Sequence, residues 1–326
     1  MANKRIILTA DDYGACNFID DAIIKAILER KINSVAVFVT FPDSETRVKR
    51  LFALQKEEAA KGNRFGIGLH FSLTAGWAVT RRPTTLSYPN GNDGLFRDAY
   101  NYPFNFVSRL EMQEELGAQI NLLRQWLGGS LDAIDHVSNH HGVTYIDSDM
   151  FRSYAQVVDS HKIPMRSPLN WSVSGLKYKD FDPLIPSIPL ARQGIKLRWM
   201  DKLADALPAR IKERVDYASQ RNIKFPFCVN DTFYGQPFYD NLDFLLLQFN
   251  DPLLSNATNN CAEMMFHLGD YENSPHYPVP SEKIETDGID QHYYGNRKLE
   301  LRALRLFDFE SALSDLSVRK IIYREL

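Results

Sequence analysis

The chain has 326 residues, of which 44% are hydrophobic and 24% are charged, and its formal net charge is −3 at pH 7. These values are ordinary for a globular protein and fit one large α/β domain or two smaller ones. A slightly negative net charge does not attract polyanions, so nucleic acid is not an expected partner. No run reaches the ~18 apolar residues that a membrane span needs, so a membrane is not expected as a partner either.

The cysteines indicate a reducing compartment. Cys16, Cys228 and Cys261 lie far apart, show no CxxC spacing and form no disulfide pattern. We expect three reduced thiols. The N-terminal residues lead directly into an apolar strand and lack the composition of a signal peptide. These features together predict a cytoplasmic protein.

The first predicted strand ends in two adjacent carboxylates. The apolar run 6–8 is typical of a strand buried on both faces, and Asp11 and Asp12 follow it closely. Two like charges at the end of a buried strand are costly unless a cation or a proton relieves them. Ligands of α/β sheets and barrels bind at the carboxyl ends of strands, so this pair is a candidate site. The alternative is that one Asp caps the next helix and the other faces water.

Helical and strand patterns alternate along the chain. Residues 17–30 have helical apolar spacing, with Asp20 off the apolar stripe, and strands are predicted over 34–40 and 65–74 on either side of a helix over 42–61. This order predicts a parallel sheet. Further helices are predicted over 108–127, 148–161, 208–220, 241–249 and 296–313, and further strands over 131–136, 162–166, 223–229, 261–267 and 318–323.

The third predicted strand has two different faces. Its apolar residues alternate with Gly66, Gly68 and His70, so the apolar set would pack on helices and these three would share the opposite face. Two glycines are expected to leave that face hollow beside an imidazole at the end of the strand. This arrangement favours a site over the alternative of a histidine with a purely structural hydrogen bond.

A second strand end carries His136, His140 and His141 within six positions. Four residues of extended chain span about 13 Å, so an extended backbone would prevent His136 and His140 from sharing a metal. One of the two would then be a ligand and the other a neighbour. The alternative is a polar loop whose histidines are incidental.

Polar side chains recur where predicted strands end, which is typical of the carboxyl-terminal mouth of a βα barrel. They are Asp11, Asp12, His70, His140, Arg166, Asp231 and His267. One carboxylate and two imidazoles can hold a divalent metal, and a second carboxylate could accept a proton from water. The pattern predicts metal-assisted hydrolysis of an amide or ester. No GxSxG, P-loop, dinucleotide or HExxH motif favours another chemistry.

The ordered motifs resemble those of the YdjC-like family of carbohydrate deacetylases. They are TADDYG (Thr9–Gly14), GIGLHFSLT (Gly66–Thr74), IDHVSNHHG (Ile134–Gly142), MRSP (Met165–Pro168), DTFYG (Asp231–Gly235), EMMFHLG (Glu263–Gly269) and NRKLELRAL (Asn296–Leu304). The resemblance implies an α/β fold of the (β/α) barrel type, seven-stranded or distorted TIM-like, related to polysaccharide deacetylases. It also implies a single catalytic domain over residues 1–326, with insertions near 75–106 and 170–207.

The resemblance implies a metal site and catalytic groups. Asp12, His70 and His140 would hold one divalent ion, Mg²⁺ or Zn²⁺, with imidazole ligands favouring Zn²⁺. Asp11 would be the general base, and His267 would face the leaving amine.

The resemblance also implies a substrate site with Arg166, Asp231 and Phe233, in which Arg166 would steady either Asp11 or the substrate. The implied substrate is a small acetylated amino sugar or oligosaccharide, and a homodimer is left open.

Two segments depart from the family pattern. Ser138 and Asn139 replace an expected Asp-Ser, and Leu268 replaces the proline of His-Pro-Gly. These changes leave the three-ligand set intact and leave the substrate open, because surrounding groups and loops select it. Two other functions stay open: a metal-dependent hydrolase of another amide, ester or phosphoester, and a saccharide-binding barrel without catalysis.

Overall fold

The computed structural model describes residues 4–80, 85–87, 94–97, 107–130, 132–145, 147–169, 211–231, 260–270, 291–315 and 317–326. The strands in these ranges are β1 (Lys4–Tyr13), β2 (Ser34–Val37), β3 (Gly66–Phe71), β4 (Val137–Asn139), β5 (Cys228–Asp231), β6 (Cys261–Phe266) and β7 (Val318–Lys320). The helices are α1 (Asn17–Leu28), α2 (Ser44–Ala60), α3 (Arg109–Trp126), α4 (Ser148–Ser160), α5 (Gln291–Leu306) and α6 (Phe309–Asp315), and residues 211–220 are also helical. No helix in the described part of the chain is long and apolar enough to cross a membrane.

The strands form a parallel sheet, as the alternation of strand and helix patterns predicts. The order among the described residues is β4-β3-β2-β1-β6-β5, and β7 pairs with the first residues of β1. Residues 6–13 of the central strand β1 are all buried, which explains why its apolar run is continuous. Helices α1 and α2 connect neighbouring strands, so the carboxyl ends of β1, β2 and β3 lie at one edge of the sheet.

The backbone of residues 163–169 lies between the two edge strands. Next to β4, Val137 N–H donates to Pro164 O and Arg166 N–H donates to Val137 O, each over 2.9 Å. At the other side, Val229 N–H of β5 donates to Leu169 O, also over 2.9 Å. One segment can contact both edges only if the sheet curls, so the strands form a curled half-barrel consistent with a TIM-like fold.

In helix α1, the helical spacing of apolar residues predicts the buried stripe correctly but does not predict the burial of Asp20. Its predicted apolar stripe is buried, but Asp20, predicted off that stripe, is also buried. The Asp20 carboxylate accepts hydrogen bonds from Gly14 N–H and from Arg47 Nη1, each over 2.7 Å. Burial raises the pKa of Asp20 to about 6 despite these two donors. The buried carboxylate closes the turn after β1, where Gly14 has a φ of +95°.

The inner face of β3 is filled, so the predicted hollow beside its glycines is wrong. A Cβ on Gly66 would lie 2.0 Å from Asp135 Oδ2, and a Cβ on Gly68 would lie 2.2 Å from His136 Nδ1. The glycines are therefore needed for the close approach of the segment before β4. The opposite, apolar face of β3 belongs to the main hydrophobic core, as predicted.

Several element boundaries differ from the sequence prediction. The strand predicted over 131–136 is β4 at Val137–Asn139, and the strand predicted over 162–166 is reduced to a bridge between Val137 and Met165. The helix predicted over 241–249 and the insertion near 170–207 lie outside the described residues. Within the insertion near 75–106, the described pieces pair antiparallel at Trp77–Leu95 and Ser87–Phe96.

Gly68→Ala is expected to lower the free energy of unfolding by about 1–3 kcal/mol or more, because the added methyl group must displace His136 from a close-packed interior. Gly117→Ala in α3 is the matched control, since no atom lies within 4 Å of its Cβ position. The control should raise the free energy of unfolding by roughly 0.5–1 kcal/mol. Urea denaturation gives the free energy of unfolding of the wild type and of both variants. A Gly68→Ala variant as stable as the wild type would contradict this packing.

Candidate metal centre

A β-bulge at the end of β1 brings two adjacent carboxylates to one site. Ala10 pairs with Val35 and Tyr13 pairs with Val37, so β1 has one more residue than β2 over this stretch. Asp12 has a φ of +72°, in the left-handed region. Neighbouring side chains of a regular strand point to opposite faces, and the extra residue removes that alternation. As a result, Asp11 Oδ2 and Asp12 Oδ1 lie 3.7 and 3.2 Å from the same atom, His70 Nε2.

Asp12, His70 and His140 form a triangle of potential ligand atoms. Asp12 Oδ1 lies 3.2 Å from His70 Nε2 and 3.4 Å from His140 Nδ1, and the two nitrogens are 3.1 Å apart. Ligands that bind one ion over about 2.0–2.1 Å in tetrahedral geometry lie about 3.3 Å from one another. All three residues are buried. The spacing of this group therefore fits a single divalent ion.

Two observations support that fit. Asp12 Oδ1 is buried and has no hydrogen-bond partner in the described part of the chain. A buried carboxylate oxygen without a donor is costly, and a cation would remove this cost. Burial also lowers the pKa of His140, so its imidazole stays neutral and keeps a lone pair for a ligand bond.

Ser138 orients the imidazole of His70. The Ser138 hydroxyl donates to Leu69 O over 3.4 Å and lies 2.7 Å from His70 Nδ1. Ser138 Oγ can accept from Nδ1–H while its own hydrogen is directed to the carbonyl, and in that arrangement His70 Nε2 carries no hydrogen. That lone pair points toward Asp12 and His140. Ser138, which stands where the resemblance leads us to expect an aspartate, is thus placed to favour the tautomer that a metal ligand requires.

Arg297 neutralises the second oxygen of Asp12. Its Nη2 donates to Asp12 Oδ2, and both side chains are buried. Burial alone would raise the pKa of Asp12, but the charge of Arg297 and the two neighbouring imidazoles of His140 and His70 hold it well below its usual range. Asp12 is therefore ionised at neutral pH, with one oxygen held by Arg297 and the other directed to the imidazoles.

Arg166 holds both oxygens of Asp11. Nη1 donates to Oδ2 over 2.6 Å and Nη2 donates to Oδ1 over 2.8 Å, in a bidentate pair. Burial raises the pKa of Asp11, but the charges of Arg166 and His70 outweigh that effect and lower it to about 2. Arg166 also donates from Nε and Nη2 to the buried carboxylate of Glu263, over 2.8–3.2 Å.

His267 and His141 lie close enough to this group to interact with it electrostatically. Burial lowers the pKa of His267 to about 3, against the raising effect of Asp12, so the ring is neutral at pH 7. The His267 backbone N–H donates to Glu300 Oε2 over 2.7 Å. His141 Nδ1 lies 3.0 Å from Thr74 Oγ1, and its ring centroid is 3.8 Å from that of His140.

The structure brings most of the predicted site residues together. Asp11, Asp12, His70, His140, Arg166 and His267 meet at the carboxyl ends of the strands. His136 is separate from the triangle, and its ring stacks on Tyr323 with centroids 4.2 Å apart. Asp231 is the last residue of β5, and Phe233 lies outside the described residues.

The sequence did not indicate the contacts of three buried residues around the site, Ser138, Glu263 and Arg297. Glu263 carried a usable signal, since a carboxylate inside the apolar strand Cys261–Phe266 requires a buried partner. Arg297 lies in a helix with many charged residues, so its burial has no local signal.

Two proteins named carbohydrate deacetylase are similar in sequence to half of this chain or more. A human carbohydrate deacetylase is 25% identical over 213 residues, which are 60% of this chain and 61% of the relative. A carbohydrate deacetylase of Clostridium beijerinckii is 26% identical over 166 residues, which are 50% of this chain and 59% of the relative. The chain thus spans about 60% of the length of these relatives.

The fold also has a solved counterpart. The crystal structure of a proposed cellobiose-phosphate cleavage protein from Enterococcus faecalis superposes with a TM-score of 0.65 at 15% identity, covering 99% of both chains. The family described as YdjC-like protein matches residues 5–315. This match includes strands β1 to β6, apart from the first residue of β1, and all residues of the triangle, and the chain belongs to the YdjC-like protein family.

Proposed function

We propose that the protein is a metal-dependent carbohydrate deacetylase, which hydrolyses the amide C–N bond of an N-acetylated amino sugar or small oligosaccharide. The observation that carries this proposal is the triangle of Asp12, His70 and His140 beside a second carboxylate, Asp11. The curated relatives named carbohydrate deacetylase support the substrate class. The proposal includes a seven-stranded barrel closed through residues 163–169 and action in the cytoplasm.

Asp12, His70 and His140 would hold the ion. Two imidazoles favour Zn²⁺ over Mg²⁺, which prefers oxygen ligands. When bound, the ion would polarise the acetyl carbonyl and lower the pKa of the attacking water. Arg297 keeps Asp12 ionised, and Ser138 would hold His70 in the tautomer that leaves Nε2 free to bind the ion.

Asp11 would accept the proton of the attacking water. Its pKa of about 2 keeps the carboxylate ionised at neutral pH, and its Oδ2 lies 3.7 Å from the ligand atom His70 Nε2. The bidentate pair with Arg166 prevents rotation of this carboxylate. Of the two roles expected for Arg166, this geometry favours steadying Asp11 over contacting the substrate.

His267 would protonate the departing amine, which is otherwise a poor leaving group. Its ring is neutral at pH 7 because burial lowers its pKa to about 3. In this role the ring would first take up a proton from solvent, which the negative charge developing on the substrate favours by raising the pKa of His267, and it would then pass that proton to the amine. Asp231 and Phe233 would contact the sugar from the end of β5 and the residues that follow it.

A partly aromatic cavity, separated from His140 by the rings of Phe41 and Phe38, would receive part of the sugar. It has a volume of about 600 Å³, and its walls include Phe41, Trp77 and Trp126. The Phe41 ring centroid is 5.2 Å from that of Phe38, which lies 4.9 Å from the ring of His140. Such concave aromatic surfaces are typical of small-molecule sites.

Metal binding by the triangle can be measured directly. The wild-type protein, treated with a chelator and dialysed, is expected to bind one Zn²⁺ per chain in isothermal titration calorimetry and to need it for deacetylation of N-acetylglucosamine oligomers. His70→Ala removes one of three ligands, so its Zn²⁺ affinity should fall by at least roughly 10–100-fold.

His161→Ala is the control for this measurement, because His161 follows α4 and lies 3.0 Å from Arg124, away from the triangle. It should bind Zn²⁺ like the wild type. Deacetylation that survives chelation, or equal Zn²⁺ affinity of His70→Ala and the wild type, would contradict the proposed metal site.

Asp11→Asn separates base catalysis from metal binding. The amide keeps the shape of the carboxylate but cannot accept the proton, so kcat should fall by roughly 10²–10⁴-fold. Zn²⁺ affinity should change little, because the three ligands remain. Steady-state kinetics and calorimetry on the same preparation measure both quantities, and a variant with wild-type kcat would remove Asp11 from the mechanism.

A further inference from the structure

A line of buried polar contacts connects Asp11 to the end of the chain. Arg166 lies between the carboxylates of Asp11 and Glu263 and donates to both. Glu263 Oε2 in turn accepts a hydrogen bond from the hydroxyl of Tyr323. All four side chains are buried. Tyr323 follows β7 and is 312 positions from Asp11 in sequence, yet only two side chains separate them in space.

The guanidinium of Arg166 is fixed from two sides. Its Nη1 and Nη2 face Asp11, and its Nε and Nη2 face Glu263. A planar fork that binds two carboxylates along two edges cannot rotate without breaking bonds to both. The orientation of Glu263 therefore sets the direction in which Arg166 presents its other edge to Asp11.

Tyr323 is held firmly enough to orient Glu263. Its ring stacks on His136, with centroids 4.2 Å apart and planes inclined by 14°. The Asp135 carboxylate accepts hydrogen bonds from the backbone N–H groups of Tyr323 and Arg324, over 3.3 and 3.2 Å. The space for Asp135 and His136 exists because β3 has glycines opposite them. The segment around Tyr323 thus packs, through Asp135 and His136, against the face of β3 that also carries His70.

We propose that Tyr323 is a positioning residue for Asp11, acting through Glu263 and Arg166. This inference rests on the proposed function, in which Asp11 is the base. Without the hydroxyl, the buried Glu263 oxygen loses a donor and the carboxylate turns toward another, which moves Arg166 and changes the direction of Asp11. Proton transfer is sensitive to such displacements, whereas the three proposed metal ligands keep their own partners.

Tyr323→Phe tests this inference, because it keeps the ring that stacks on His136 and removes only the hydroxyl. We expect kcat to fall by roughly 10–100-fold. KM and Zn²⁺ affinity should stay within about twofold, since Tyr323 touches neither substrate nor ligand in this scheme.

Tyr154→Phe is the matched control. Tyr154 is another fully buried tyrosine, and its hydroxyl donates to the backbone carbonyl of Val137 over 3.2 Å. Both variants lose one buried hydroxyl, so both should lower the melting temperature, but the control should keep the wild-type kcat. A wild-type kcat in Tyr323→Phe, or an equal loss of kcat in both variants, would overturn the positioning role.

Crystal structures of the wild type and Tyr323→Phe provide a readout that does not depend on activity. We expect the variant to lose at least one of the two bonds between Arg166 and Asp11. Unchanged positions of Asp11, Arg166 and Glu263 would overturn the inference. Wild-type protein that binds Zn²⁺ but does not deacetylate amino sugars would instead contradict the proposed function, while the two crystal structures would still test the connection.

Discussion

The site depends on the pairing of two adjacent buried carboxylates with two separate arginines. Asp11 is held by Arg166, 155 positions later, and Asp12 by Arg297, 285 positions later. A buried charge without a partner costs several kcal/mol. The end of β1 can therefore be buried only when distant parts of the chain have assembled around it. Loss of either arginine would leave a buried charge uncompensated, which is far more costly than loss of an exposed ion pair.

The same pairing gives two neighbouring aspartates different chemistry. Arg166 occupies both oxygens of Asp11, which leaves this carboxylate fixed and ionised. Arg297 occupies one oxygen of Asp12 and leaves the other directed toward an imidazole nitrogen of His70 and one of His140. One carboxylate suits a proton acceptor and the other a metal ligand. Active sites commonly give two groups of the same kind different environments, and the roles of the two groups are then assigned from those environments.

The sequence predicted the features that depend on short-range pattern. Continuous apolar runs and helical spacing indicated the parallel sheet, and the polar residues at the strand ends indicated the edge where Asp12, His70 and His140 meet. The β-bulge at Asp12 has no comparable signal, because a bulge changes the alternation of a strand without changing its composition. The same is true of the filled face of β3, since Gly66 and Gly68 indicate close approach but not which residues approach.

Charged residues with distant partners were the least predictable. Arg297 has its partner Asp12 285 positions away, and no local period encodes such a pair. Glu263 stands out inside an apolar strand, but its partners Arg166 and Tyr323, 97 and 60 positions away, have no local signal. Tyr323 is similar, since its hydroxyl has a partner in β6 and its ring has one just before β4. These residues surround the triangle and hold its neighbours in place. Local sequence pattern therefore predicted the residues at the centre of the site better than the residues around them.

The central claim is that one cation binds between Asp12, His70 and His140. The most direct test is a crystal of the wild-type protein grown with Zn²⁺, with anomalous diffraction recorded on both sides of the zinc absorption edge. We expect one strong anomalous peak bounded by Asp12 Oδ1, His70 Nε2 and His140 Nδ1. A saturated crystal with no peak there, or with its zinc bound to other residues, would contradict it.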